Sequence, residues 1–324
     1  MKVKLSLLLV IVSLAFACSK EDETEGLGLY DSISEQNFVG KIVPDENGYW
    51  LVTRSTPSKT LNYYAANSIN FVDGLTYFTN EKTVSKSSIG YIYDAETYNN
   101  ALATSTSNQI LSYDRSLQNK VIKTANTSET YKLMDKDASG KVWVLSSKSI
   151  FSLSGDVIAF PNNITAIDFE AAKDGSFWIA SSDTVYQVKK LSSIKIPISQ
   201  ITGAANSVPT IYSLKIDKND NIWINTSIKL YKFGEKAWSE EKITTFTADN
   251  FKTIPFLDID SNGNLWMAEK HYQAFTNLHR FDGTAWKSFK LDPQIDTWIN
   301  DIETAAPGYI WIATNNGLRR LNIN

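Results

Sequence analysis

Six tryptophans recur in one local pattern, and this repeat restricts the possible folds more than any other feature. In the clear copies a turn rich in Asp, Asn and Gly precedes the Trp, and apolar or small residues follow it, as in residues 260–268. Asp and Asn bond their own backbone in tight turns and Gly accepts positive φ, so each copy predicts a β-hairpin. The tryptophans of the pattern are Trp50, Trp143, Trp178, Trp223, Trp266 and Trp311.

The spacing of the copies predicts the architecture. The last five tryptophans are 35 to 45 residues apart, and the gap of 93 residues between Trp50 and Trp143 leaves room for one more copy at 99–104. There Ala101 is expected to take the Trp position. Short strands with a period of about 40–45 residues are typical of β-propellers. We therefore predict an all-β, seven-bladed β-propeller over residues 28–324. A strand-rich solenoid is the alternative, but obvious capping repeats are missing from the sequence.

The last repeat supplies three strands, whereas other repeats continue into a fourth, as at 285–291. An unpaired outer edge would promote aggregation. Residues 28–33 lie just before the first predicted inner strand at 38–42, and we predict that they close the last blade as its fourth strand.

The repeated tryptophans are predicted to be core residues, since one large ring per blade fills the wedge between diverging sheets. Trp298 has no counterpart in the other repeats and falls in the loop that leads into the last inner strand. It is therefore a candidate for an exposed contact.

The N-terminus predicts export and a lipid anchor. Residues 1–17 combine Lys2 and Lys4 with an apolar run that is too short to span a membrane, which is typical of a signal peptide. Small residues precede Cys18, the single cysteine, and this junction resembles a bacterial lipobox in which Cys18 is lipidated. An ordinary secretory signal with an incidental Cys is the alternative.

Residues 18–27 are polar and acidic and are predicted to form a flexible tether. They resemble the surface-export signals of Bacteroidetes lipoproteins. The expected location is therefore the outer membrane, with the domain displayed at the surface; a periplasm-facing orientation is the alternative.

The repeats resemble the two-component regulator propeller family, most closely in residues 308–318, where Gly308, Trp311, Gly317 and Leu318 match the family pattern. The resemblance implies a seven-bladed propeller that serves, in the best-known members, as the extracytoplasmic sensor of hybrid histidine kinases. We expect a free-standing relative, because no kinase segment follows Asn324. The signalling role is not carried over.

Residues 258–269 satisfy the spacing of a helix–loop–helix calcium site, with Asp258, Asp260, Asn262 and Glu269 as the oxygen ligands. The flanking residues continue a strand pattern, and the same turn recurs where the Glu position is Ser or Thr. A structural turn without metal is therefore predicted. No cofactor is expected.

Enzyme chemistry finds little support in the sequence. The chain has only two histidines, His271 and His279, and both fall in one repeat. Glu269 and His271 resemble part of the magnesium-dependent site of streptogramin lyases, which are also seven-bladed, but only one repeat shows the pattern. With 32 basic against 35 acidic residues and a net charge of −3, no basic field exists for nucleic acid. No catalytic residue is assigned.

The predicted function is binding. In a propeller, the loops that lead into the inner strands share a face with those between second and third strands. Aromatic and amide groups there suit a glycan or peptide ligand, and a partner protein is also possible if the chain is a scaffold subunit of an envelope complex. The candidate ligand-binding residues are Trp298, His271, Tyr272, Glu269, Arg54, Tyr212, Phe251, Asn225 and Asn315.

Overall fold

The fold is built from repeated antiparallel sheets. The computed structural model describes residues 28–29, 39–53, 74–78, 83–86, 89, 91–126, 128–159, 164–190, 192–203, 209–226, 229–234, 237–241, 252–271, 274–291, 299–306, 309–314 and 317–323. The described strands form seven four-stranded sheets, which we number in chain order. In sheets 1 to 6, four consecutive strands run in order from the innermost to the outermost.

The strand bounds of sheets 1 to 3 are as follows. Sheet 1 contains β2 (Val39–Asp45), β3 (Gly48–Thr53), β4 (Gly74–Phe78) and β5 (Thr83–Lys86). Sheet 2 contains β6 (Asp94–Tyr98), β7 (Ala101–Ser105), β8 (Gln109–Tyr113) and β9 (Asn119–Thr124). Sheet 3 contains β10 (Tyr131–Lys136), β11 (Val142–Ser146), β12 (Ser149–Ser152) and β13 (Val157–Ala159).

The remaining sheets follow the same plan. Sheet 4 contains β14 (Asp168–Ala171), β15 (Phe177–Ala180), β16 (Thr184–Lys189) and β17 (Ser192–Pro197). Sheet 5 contains β18 (Ile211–Ile216), β19 (Ile222–Thr226), β20 (Leu230–Gly234) and β21 (Ala237–Glu241). Sheet 6 contains β22 (Lys252–Ile259), β23 (Leu265–His271), β24 (Ala274–Phe281) and β25 (Trp286–Lys290). Sheet 7 contains β26 (Ile299–Ala306), β27 (Tyr309–Thr314), β28 (Gly317–Asn322) and β1 (Gly28–Leu29).

The inner strands form a closed ring. Each of β2, β6, β10, β14, β18 and β22 contacts the inner strand of the next sheet, and β26 returns to contact β2. This arrangement confirms the predicted all-β propeller. In sheet 7 the outermost position belongs to β1, where Gly28 pairs with Arg320 and Leu29 with Arg319, so an N-terminal strand supplies the fourth strand.

The repeated tryptophans pack between neighbouring sheets, as predicted for core residues. All six are at most 8% exposed. Trp266 of sheet 6, for example, packs with Ile302 and Ile310 of sheet 7, and Trp178 of sheet 4 packs with Leu214 of sheet 5. Burial of one large ring at each of these junctions stabilises the ring of sheets.

The Asp of the turn motif has a second function besides shaping the turn. Asp217 accepts hydrogen bonds from the backbone N–H groups of Asn219 and Asn221, and its other oxygen accepts the indole N–H of Trp223 at 2.9 Å. Asp137 and Asp260 each accept the indole N–H of the Trp six residues later, at 2.8 Å. The motif therefore joins the hairpin to the ring that packs against the next sheet.

The strand register corrects the assignment in the second sheet. Trp50 pairs with Val43 and is the third residue after the β2–β3 turn, and the same place in sheet 2 belongs to Ala103, which pairs with Glu96. Ala101 is the first residue after the turn, so the prediction that it takes the Trp position is wrong by two residues.

The described part of the chain includes one short helix, α1 (Ile198–Thr202), between sheets 4 and 5. Within the same residues, no helix has the length and apolar composition needed to cross a membrane.

Candidate functional site: the central cavity

A cavity of about 560 Å³ lies at the centre of the ring, and all seven inner strands contribute to its wall. The register of the hairpins sorts the wall into two rings. The lower ring contains the residues that pair with the six tryptophans and Ala103, and the upper ring contains the residues two positions earlier. The lower ring is Val43, Glu96, Asp135, Glu170, Lys215, Asp258 and Glu303. The upper ring is Lys41, Asp94, Leu133, Asp168, Ser213, Phe256 and Asp301.

Carboxylates outnumber cationic groups in both rings. The lower ring has five carboxyl groups and one lysine, and the upper ring has three carboxyl groups and one lysine. A concave site lined mainly by one sign of charge focuses its potential and raises the local concentration of the opposite ion. The wall therefore favours a ligand group of positive charge.

The two ring lysines are both paired with several carboxylates. Lys41 Nζ lies 2.7 Å from Asp94 and 3.5 Å from Glu96. Burial opposes the charge on Lys41, but these two neighbours outweigh it and raise the pKa of the ammonium group. Lys41 is therefore held as a cation in the wall.

Lys215 has a comparable environment on the opposite side of the cavity. Its Nζ lies 2.9 Å from Glu170, 3.2 Å from Asp168 and 3.7 Å from Asp258. The three carboxylates come from sheets 4 and 6, on either side of the sheet that carries Lys215. The lysine thus links three consecutive inner strands.

Ring carboxylates also join neighbouring sheets through the backbone. Asp94 accepts the N–H of Met134 at 2.8 Å, Asp135 that of Ala171 at 2.6 Å, and Asp168 that of Leu214 at 3.0 Å. Asp301 accepts the N–H of Ile42 at 2.6 Å, across the junction of sheets 7 and 1. In each case the acceptor lies on one inner strand and the donor on the next.

Several cavity carboxyls have raised pKa values. Burial, followed by the negative charge of Glu96, raises the pKa of Asp135 to about 7. Burial also raises the pKa of Glu303 to about 7. Burial and the neighbouring Asp258 carboxyl raise the pKa of Asp301 well above its usual range. Asp135 and Glu303 therefore exchange protons close to neutral pH.

Apolar residues line the wall at two places, near β10 and β14 and near β22 and β26. Leu133 and Phe256 interrupt the charged upper ring, and Ile167 and Ile299 line the cavity beside them. Tyr212, at the start of β18, also lines the cavity and is 36% exposed. The cavity thus combines carboxylates with an accessible aromatic ring.

Of the predicted ligand-binding residues, only Tyr212 falls on the described cavity wall. Asn225 is fully buried and accepts the backbone N–H and the hydroxyl of Ser213. Glu269 is 1% exposed, and its carboxylate lies 3.2 Å from Nε2 of His279. The expectation that Asn225 and Glu269 lie on an open face is wrong, because both side chains pack inside the ring of sheets.

The other candidates cannot be compared in this way. Arg54, Phe251, Tyr272, Trp298 and Asn315 lie outside the described residues, as does Cys18. His271 is described through its backbone, which pairs with Lys252 and Ala274 at the end of β23. These assignments stay predictions.

The calcium-like spacing at 258–269 forms a hairpin, as predicted. Asp260 accepts the indole N–H of Trp266 and the backbone N–H of Asn264, whereas Asp258 faces Lys215 on the cavity wall. Glu269 contacts His279 inside the sheet, away from both, so the three carboxylates of the motif point to different neighbours.

The sequence interpretation missed the charged rings, although the sequence contains a signal for them. Three of the seven strands before the turns carry acidic residues two apart: Asp94 with Glu96, Asp168 with Glu170 and Asp301 with Glu303. In an inner strand, residues two apart lie on the same side and reach the same wall. Comparing the strands before the turns, in addition to the Trp strands after them, would have identified the rings.

No protein-family model matches the chain, and no curated protein does either. Solved structures with a similar fold do exist. One is the extracellular domain of the hybrid two component system BT4673 from B. thetaiotaomicron, with 17% identity, a TM-score of 0.61 and coverage of 91% of this chain. This chain spans only 39% of the length of that protein.

Two further similar structures contain bound molecules. Catalytically inactive virginiamycin B lyase from Staphylococcus aureus, solved with quinupristin, has 11% identity and a TM-score of 0.64, over 90% of this chain and 96% of that one. YCF48 bound to D1 peptide has 11% identity and a TM-score of 0.64, over 89% and 93%. At these identities the similarity establishes the propeller fold alone.

Proposed function

We propose that this chain is a non-catalytic binding module of the cell envelope, and that its peptide or glycan ligand binds at the central cavity. The observation that carries the proposal is the cavity of about 560 Å³ with charged, polar and aromatic groups converging on it. Small-molecule and peptide sites typically combine such a concavity with a few convergent polar groups. The sheets then serve as a rigid frame for the wall.

The surroundings of the wall carboxyls favour binding over catalysis. Asp94, Asp135, Asp168 and Asp301 each accept a backbone N–H of the next sheet, which ties them to the structure of the ring. A carboxyl group held in this way is suited to contacting a ligand from a fixed position.

Similar structures support the kind of ligand and the location. A propeller of this fold is known with a peptide bound, and another belongs to an extracellular domain of a two-component system. Together with the signal-like residues 1–17 and Cys18, they support a lipid-anchored protein with repeats of the two-component regulator kind, displayed at the outer membrane.

The test compares two exposed tyrosines. The soluble domain, residues 19–324, is screened on peptide and glycan arrays, and the hits are measured by calorimetry on Tyr212→Ala and Tyr91→Ala. Tyr91 is 63% exposed and is not part of the described cavity wall, so it is the matched control. We expect Tyr212→Ala to weaken binding roughly tenfold or more, as loss of an aromatic anchor does, and Tyr91→Ala to leave it unchanged. Equal affinities of both variants and the parent would contradict a cavity site.

A further inference from the structure

The cavity wall has a second property beyond its excess of carboxylates, because one part of it combines acidic, apolar and aromatic groups. On three consecutive inner strands, β18 offers Tyr212 and Lys215, β22 offers Phe256 and Asp258, and β26 offers Asp301 and Glu303. An exposed ring, an apolar side chain and three carboxyl groups therefore share one sector of the cavity.

The charge in this sector is only partly balanced by the protein. Lys215 reaches Asp258 at 3.7 Å, its longest ion pair, and is closer to Glu170 and Asp168. Lys41 lies on the other side of Asp301 and is held at 2.7 Å by Asp94. Both lysines are thus bound more closely to carboxylates outside the sector than to those within it.

The groups in this sector match the two halves of a long basic side chain. The aliphatic stem of Arg or Lys packs against apolar surface, while its charged head bonds carboxylates. An aromatic ring at the same place attracts the cation by its negative face. A neutral sugar would use the ring but would leave the carboxyl groups without a counter-charge.

We infer that the ligand is a peptide with an arginine or lysine side chain. This side chain occupies the part of the cavity lined by β18, β22 and β26, and its charged head contacts Asp258, Asp301 and Glu303. This inference rests on the proposed function and specifies its ligand class. Arginine fits better than lysine, because its planar fork can bond two carboxyl groups at once.

Binding of a cation in this sector should release protons. Asp301 faces Asp258 from β22 and Lys41 from β2, and Glu303 lies near Asp260. Burial raises the pKa of Glu303 to about 7, so this group is partly protonated at neutral pH. An arriving guanidinium favours the charged carboxylate and displaces the proton.

The experiment uses isothermal titration calorimetry with two capped peptides, Ala-Phe-Arg-Phe-Ala and its citrulline counterpart, which is isosteric and neutral. We expect the Arg peptide to bind at least roughly tenfold tighter, the gain of a charge-assisted bond. Its apparent binding enthalpy should differ between phosphate and Tris buffers at pH 7, as proton release requires. Equal affinities of the two peptides would overturn the inference.

Variants distinguish the sector from the rest of the surface. Asp301→Asn keeps an oxygen that can accept the Ile42 N–H, and Glu303→Gln is a second variant in case the first does not fold. Either should reduce the preference for Arg over citrulline at least fivefold. Asp156→Asn is the matched control, since Asp156 is an exposed carboxylate paired with Lys141, and the preference should stay unchanged. An unchanged preference in both cavity variants would also overturn the inference.

Failure of the inference can be separated from failure of the proposed function. If the Arg peptide binds no better than the citrulline peptide but an array glycan binds and Tyr212→Ala weakens it, the cavity binds ligand and the ligand class is wrong. If no peptide or glycan binds, both proposals are wrong.

Discussion

Asp301 accepts a hydrogen bond from the backbone N–H of Ile42 at 2.6 Å, although the two residues are 259 positions apart in the sequence. This bond crosses the junction where the last sheet meets the first. Equivalent carboxylate–amide bonds cross three earlier junctions, from Asp94, Asp135 and Asp168. The junction that closes the ring is therefore built with the same kind of bond as junctions within the chain.

The bond from the turn Asp to the Trp ring should contribute measurably to stability. Asp217→Ala removes the acceptor of the buried Trp223 indole N–H, together with the turn bonds from the backbone of Asn219 and from the backbone and side chain of Asn221. We expect it to lower the free energy of unfolding by about 2–3 kcal/mol. Asp174→Ala is the control, because Asp174 holds its turn through Ser176 and is half exposed. Chemical denaturation of both variants measures the difference, and equal losses would argue against a special role for the indole bond.

Trp223 should behave as a core residue. It is fully buried and packs edge-on against Phe281 and Trp286 of sheet 6. Trp223→Ala is expected to cost about 3–5 kcal/mol of stability, as other large-to-small core changes do. Thermal melts check this, and a loss below about 1 kcal/mol would contradict the packing role.

Trp298 is predicted to act in ligand contact, in a patch shared with His271 and Tyr272. Trp298→Ala should weaken binding by about 2 kcal/mol or more while changing the melting temperature little. Calorimetry with a ligand found on the arrays, combined with thermal melts, separates the two effects. A drop in stability with unchanged affinity would make Trp298 a packing residue.

The N-terminal strand should be required for the stability of sheet 7. Gly28 and Leu29 cover part of the outer edge of β28. Deletion of residues 27–34 is expected to lower the melting midpoint and broaden the transition, because that edge loses its partner. An unchanged melting curve would show that this strand does not contribute.

Stability should fall as the pH rises from about 5 to 8. Burial raises the pKa of Glu303 from its ordinary 4.5 to about 7. Between these two pH values the folded state holds a proton that the unfolded state has lost. Each such group favours the folded state at the acid end and loses that advantage above its folded pKa. Glu303→Gln should flatten the profile by about 1–3 kcal/mol. Urea titrations at pH 5, 6, 7 and 8 test the slope, and the same slope in the variant would assign it to other groups.

The sequence was sufficient to predict the propeller because its Trp repeats report on packing between sheets, which every copy needs. The position equivalent to the repeated Trp was predicted wrongly in sheet 2. Ala103 holds it there, and only the hairpin register distinguishes Ala103 from Ala101. The sequence interpretation also placed Asn225 and Glu269 on an open face, because both follow a Trp at a position expected to reach a loop. Both side chains instead have buried polar partners: Asn225 contacts Ser213, and Glu269 contacts His279. Alternation along a strand does not show whether a polar residue faces solvent or a buried partner.

The carboxylate–amide bonds between inner strands have a mechanical consequence. A cation that draws Asp301 towards the axis must compete with the N–H of Ile42 for the same side chain. The strain of that competition acts on the junction between β26 and β2, the inner strands of the last and the first sheet, which lie far apart in the sequence. Binding of such a cation in the cavity and the stability of the junction between β26 and β2 are therefore thermodynamically linked. A change in the stability of the junction must change the affinity for the cation, and the reverse also holds.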